Sequence, residues 1–133
     1  MIRRGGGEEL TVAVIDDDFR VRESIGSLVE SAGYVPRVFS SAEEFLECGT
    51  LGEAGCVITD VRMPGMDGIE LQRRLRLERP SLPIIFISAY SDDEARGRAL
   101  EGGAVDFFYK PFHAADLMHA IDRASHGSPN HPI

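Results

Sequence analysis

The chain reads as an α/β domain: a five-stranded parallel sheet, doubly wound in a (βα)5 order. Three observations predict this. Apolar runs of strand length alternate with stretches of helical periodicity from residue 11 onward. Three of those runs lead directly into charged residues, as strands do at the ligand-binding edge of a parallel sheet. At 133 residues the chain is long enough for one domain with a substantial core. Consecutive β–α units then require right-handed crossovers, which put helices on both faces of the sheet.

The elements follow in order. Residues 11–15 are a first strand. Residues 19–32 place Val21, Ile25, Leu28, Val29 and Ala32 on one helical face, with Gly33 as the stop. Residues 34–39 make a second strand. Pro36 has no amide to give a ladder and marks it as an edge. Ser40, Ser41, Glu43 and Glu44 offer a capping box for a short helix to about residue 48. Residues 56–59 are a third strand, continuously apolar as buried parallel strands are. Ile69, Leu71, Leu75 and Leu77 predict a helix ending before Pro80. Residues 84–87 are a fourth strand. Ser91 with Glu94 caps a helix that stops at Gly102 and Gly103. Residues 104–109 give a fifth strand and 113–125 an amphipathic helix. The domain spans 10–126, with 1–9 as an N-terminal tail and 127–133 as a C-terminal tail or the start of a linker.

Composition narrows the function. The net charge of −8 argues against direct nucleic-acid binding, which needs a basic face. Arg73, Arg74, Arg76 and Arg79 read as a solvated helix face rather than an anion site. Cys48 and Cys56 lack metal-ligand or disulfide spacing, and Cys56 reads as a small core residue. His113, His119, His126 and His131 likewise lack ligand spacing, and Met63, Met66 and Met118 read as filler. No apolar run approaches bilayer length, and Met1-Ile-Arg-Arg is followed by glycines rather than a signal-peptide core. The expectation is a cytoplasmic protein without membrane contact. Gly5, Gly6 and Gly7 precede the first strand, so they form no phosphate-binding loop of the kind that follows one.

Chemistry concentrates at three strand ends: Asp16-Asp17-Asp18 after the first, Asp60 at the third, and Lys110-Pro111 after the fifth. Lys110 is the only lysine in the chain, against thirteen arginines. Two like charges about 5 Å apart repel by roughly 3 kcal/mol at an effective dielectric near 20. Asp16, Asp17 and Asp60 on one edge therefore call for a cation, and Lys110 offsets part of the charge. Hard oxygen donors on short side chains favour Mg²⁺, which keeps waters and leaves room for a phosphate oxygen. The plain alternative is a set of helix N-caps, a role that fits Asp18.

Ile15-Asp-Asp-Asp18, Thr59-Asp-Val-Arg-Met-Pro-Gly-Met-Asp-Gly68, Ile87-Ser-Ala89 and Phe107-Phe-Tyr-Lys-Pro-Phe112 resemble the receiver domains of two-component response regulators. The resemblance covers about residues 10–126, and the wording around Asp60 and over 104–112 is particularly close to FixJ-type receivers. It implies a flavodoxin-like receiver fold and a phosphoacceptor at Asp60, supplied by a sensor histidine kinase. It also implies Mg²⁺ held directly by Asp17 and Asp60, by Asp16 mostly through water, and by the backbone carbonyl of Arg62. Lys110, the Ser88 hydroxyl and the Ala89 amide would meet phosphoryl oxygens, and the Lys110–Pro111 bond would be cis. Ser88 and Phe107 would form the switch, acting by packing alone because phenylalanine has no hydroxyl. Arg62 and Tyr90 would tune the lifetime of the aspartyl phosphate, with bulky Tyr90 slowing its loss.

The resemblance further implies a signalling domain that catalyses only its own phosphorylation and dephosphorylation. Its output surface would be the fourth helix, fifth strand and fifth helix, open to a phosphorylation-dependent homodimer. FixJ-type receivers usually precede a DNA-binding effector domain that controls transcription, and no such domain lies within these residues. A second reading is a Mg²⁺-dependent phosphohydrolase of the haloacid-dehalogenase type, with Asp16-x-Asp18 as its motif. Arg20 stands where that motif wants threonine or valine, and no late acidic pair follows Lys110.

Overall fold

Alternating apolar runs and amphipathic stretches build one parallel sheet in the computed structural model, which describes residues 10–48, 53–89 and 91–126. The elements are β1 Thr11–Ile15, α1 Phe19–Ser31, β2 Val35–Phe39, α2 Ala42–Glu47, β3 Cys56–Asp60, α3 Gly68–Glu78, β4 Ile84–Ser88, α4 Asp93–Glu101, β5 Asp106–Tyr109 and α5 Ala114–His126. The strand order is β2-β1-β3-β4-β5, parallel throughout. The chain leaves β1 toward one side and returns to the other at β3, so the switch point lies between them. That is where open α/β sheets bind ligands.

Strand alternation splits the core in two. Ala13, Ile15, Val57 and Phe86 face α2, α3 and α4, packing with Phe45, Leu71, Leu75 and Ala99. Val12, Val14, Ile58, Ile85 and Ile87 face α1 and α5, packing with Ile25, Val29, Leu117 and Ile121. The middle strands β3 and β4 are buried at every residue, which is why they read as unbroken apolar runs. β2 lies at the edge, as Pro36 requires. Cys56 is wholly buried, as its place in the strand suggests.

The helix ends show where local sequence chemistry held and where tertiary structure overrode it. Asp18 caps α1 by accepting from the Arg20 amide. At its other end Gly33 takes φ +95, the Gly33 amide donates to the Glu30 carbonyl and the Tyr34 amide to Val29. This is a Schellman closure, and Gly103 (φ +98) makes the same one for α4. The Ala104 amide is spent on that closure and the Val105 amide already donates to the Ile84 carbonyl of β4, so β5 begins at Asp106, two residues later than expected. Ser91 is not the cap of α4: Asp92 is, accepting from the Ala95 amide. On α2 Ser41 accepts from the Glu44 amide, but the Glu44 carboxylate reaches back to Ser40 rather than to Ser41. Leu77 is 84% exposed and belongs to no core face. Two residues beyond Leu75 the helix has turned about 200°.

Candidate functional site

Parallel strands end on one edge, and that edge gathers the charged residues. Asp60 is the last residue of β3, Asp16 and Asp17 follow β1, Ser88 ends β4 and Lys110 follows β5. Asp17, Asp60, Ala89 and Lys110 line an open cleft together with Asp18, Arg62, Ser91 and Asp92.

Asp16 is only 2% exposed and fully engaged. Its Oδ1 accepts from the Asp18 amide at 2.8 Å, and its carbonyl accepts from the Arg22 guanidinium at 2.8 Å. Its Oδ2 lies 3.4 Å from Lys110 Nζ, which in turn is 3.7 Å from Asp60 Oδ2. The lone lysine thus bridges two carboxylates, and the nearer one is Asp16 rather than Asp60. Lys110 is fixed from behind by its amide, which donates to the Ser88 carbonyl at 2.8 Å, and the Lys110–Pro111 bond is cis. Asp17 is exposed.

Ligand oxygens of Asp16, Asp17 and Asp60 all lie within 4.8 Å of one another, a grouping that can hold a metal ion. Burial pushes the Asp60 carboxyl up to about 6, and the Asp16 charge adds to the rise. The Lys110 ammonium and the Val61 and Arg62 amides pull it back, without cancelling the rise. Two mostly buried carboxylates facing one ammonium leave a deficit of positive charge. A hard divalent cation fits that donor set.

Packing holds the end of β3 in place. A Cβ on Gly68 would meet the Asp60 carbonyl oxygen at 2.3 Å, so α3 starts directly against the end of β3. The intervening loop closes through the Gly68 amide to the Val61 carbonyl, and Asp67 with Glu70 forms a capping box. Ser88 is wholly buried and Ala89 exposed, so the serine sits beneath the cleft rather than in its wall. Phe107 is also buried, stacked on Phe86 with centroids 5.9 Å apart and edge-on to Tyr109. Tyr90 lies outside the described residues.

Contacts between distant segments add three tethers that sequence reading missed. Asp92 accepts from the Arg62 guanidinium, tying the loop after Asp60 to the start of α4. The Tyr109 hydroxyl donates to Asp93 at 3.0 Å, tying β5 to the same place. Glu43 accepts from the Met66 amide at 2.8 Å, across the loop's other flank. Each pairs residues far apart in the chain, and none leaves a local spacing signal.

The response regulator receiver domain model matches residues 12–122. Response regulator protein TmoT of Ectopseudomonas mendocina is 45% identical over 118 residues, covering 88% of this chain and 53% of that protein. Transcriptional regulatory protein FixJ of Azorhizobium caulinodans is 42% identical over 120 residues, covering 90% and 56%. The crystal structure of FixJ-N superposes with a TM-score of 0.80 at 34% identity, covering 95% of this chain and 98% of that one. The chain spans about half the length of the relatives it matches. The phosphohydrolase reading finds no support in these matches.

Proposed function

The chain belongs to the response regulator receiver family, and on that premise we propose that Asp60 accepts a phosphoryl group from a histidine of a sensor kinase. The observation that carries this is the meeting of buried Asp60 with Lys110, Asp16 and Asp17 at one cleft. One Asp60 oxygen attacks phosphorus in line. The P–N bond breaks, and the electron pair leaves with the imidazole. Lys110 favours the ionised form of Asp60 and then takes a phosphoryl oxygen. Ala89 is exposed at the cleft, where its amide can donate to a second oxygen.

Asp17 and Asp60 would hold Mg²⁺ directly, the Arg62 carbonyl would add a ligand, and Asp16 would act mostly through water because its oxygens are already engaged. When bound, the ion neutralises charge on the carboxylates and the incoming phosphoryl group. The catalysis is confined to the domain's own phosphorylation and dephosphorylation, with Arg62 and Tyr90 shaping access of water to the aspartyl phosphate.

The buried Ser88 hydroxyl reaches a phosphoryl oxygen only after the end of β4 rearranges, and Phe107 repacks with it. Phosphorylation biases an existing equilibrium, and a full swing needs about 5 kcal/mol of differential stabilisation. Bonds to Ser88, Ala89 and Lys110 are the source of that preference. The output surface is α4, β5 and α5, which serves a phosphorylation-dependent homodimer or an effector domain. Relatives named as transcriptional regulators support control of transcription, which we assign to such a domain in the cytoplasm, with residues 10–126 as the receiver. Borohydride trapping of the phosphorylated protein tests the acceptor. Homoserine at position 60 is the expected product, and homoserine at position 16 would contradict the assignment.

A further inference from the structure

We infer that Glu43 is a positioning residue for the metal site: its carboxylate, on the first turn of α2, fixes the loop that carries the Arg62 carbonyl. The inference rests on the Mg²⁺ reading of the Asp60 cleft given above.

Glu43 Oε2 accepts from the Met66 amide at 2.8 Å, across 23 residues of sequence. The carboxylate also lies where a side chain at Gly65 would go: a Cβ there would be 2.6 Å from the same oxygen. Gly65 has φ +78, so its lack of a side chain serves the turn and the close approach together. Glu44 beside it does something different, accepting from the Ser40 amide and hydroxyl at 2.7 and 2.8 Å. Of two adjacent glutamates, one secures its own helix and the other crosses to the acceptor loop.

Both ends of the contact are firm. Ala42 and Phe45 are wholly buried, and the Phe45 ring packs edge-on to Phe39 at 5.3 Å, so α2 presents Glu43 from a rigid base. The loop is closed at its far end by the Gly68 amide to the Val61 carbonyl. Between those points lies Arg62, whose side chain is tied to Asp92 on the opposite flank. The segment is therefore clamped from α2 and from α4. Metal ligands need their supporting contacts, since a small misplacement is enough to weaken binding. Without the Met66 bond the loop loses its tether to α2 and keeps the Gly68–Val61 closure and the Arg62–Asp92 pair.

The test is calorimetric Mg²⁺ titration of the whole chain, parent beside Glu43→Ala and Glu43→Gln, with thermal melts in EDTA. Glutamine keeps an oxygen that can accept from Met66 but removes the charge. The expected result is a roughly three- to tenfold weaker Mg²⁺ affinity for the alanine variant, below the roughly 10–100-fold typical of groups bonded to a ligand, because Glu43 acts on Arg62 through Met66. The glutamine variant should stay within about twofold of the parent, and the metal-free melting temperatures should barely differ, because the lost bond is an exposed one. Unchanged Mg²⁺ affinity in Glu43→Ala would overturn the inference and leave the Asp60 reading intact. Equal weakening in both variants would overturn it too, by making charge rather than position the cause. A parent that bound no Mg²⁺ would overturn both.

Discussion

As the proposed nucleophile, Asp60 sits under opposing demands: it must be ionised, yet burial and Asp16 disfavour its charge. In the metal-free fold its carboxyl holds a proton up to about 6, against 3.8 for the ordinary group. The folded state therefore binds that proton more tightly. The stabilisation is complete below 3.8 and is lost as pH rises through about 6. At full effect this amounts to about 3 kcal/mol, reduced by solvent screening at this open cleft to about 1–2. Asp60→Asn should therefore raise the metal-free melting temperature at pH 8, and the gain should shrink toward pH 4. A variant no more stable than the parent at pH 8 would contradict the electrostatic picture. Mg²⁺ should stabilise the parent and leave Asp60→Asn much less affected. Tyr90→Ala should shed phosphate several-fold faster than the parent in a chase, and an unchanged rate would remove Tyr90 from lifetime control.

Among the helices, α3 and α4 differ most in anchoring. α3 buries Ile69, Leu71, Gln72 and Leu75, whereas α4 buries only Ala95 and Ala99 and carries Gly97 in its middle. Polar pins compensate: Arg62 to Asp92, Tyr109 to Asp93, and the Gln72 amide to the Ala99 carbonyl at 2.9 Å. Hydrogen exchange should find α4 amides less protected than those of α3, and Tyr109→Phe should lower them further. Equal protection of the two helices would contradict this. Gly68→Ala should destabilise the domain by about 2–4 kcal/mol in chemical denaturation, since the methyl group would strike the backbone of Asp60.

The same elements show what the sequence could carry. Strand runs, the Asp18 cap and the glycine stops were legible because they depend on neighbours in the chain. The cap of α4 was misassigned among Ser91, Asp92 and Asp93, where any of three adjacent residues can serve and packing decides. Leu77 was grouped with Ile69, Leu71 and Leu75 by being apolar, although helical rotation carries it to solvent. The tethers of Arg62, Tyr109 and Glu43 depend on strand order and had no local signature.

For the whole molecule, a net charge of −8 and a sheet edge that gathers Asp16, Asp17 and Asp60 favour cation binding, and the proposed function adds phosphoryl transfer to Asp60. No helix among the described residues is long and apolar enough to cross a membrane. If α4, β5 and α5 form the output face, beryllofluoride with Mg²⁺ should shift the chain toward a dimer in size-exclusion chromatography. A monomer under both conditions would leave docking to another protein as the output. The most direct measurement is intact mass after incubation with Mg²⁺ and acetyl phosphate, beside Asp60→Asn and an EDTA control. One phosphoryl group on the parent, absent from both controls, is the predicted result. A parent that gains none, or an Asp60→Asn variant that gains one equally, would contradict the assignment of Asp60 as acceptor.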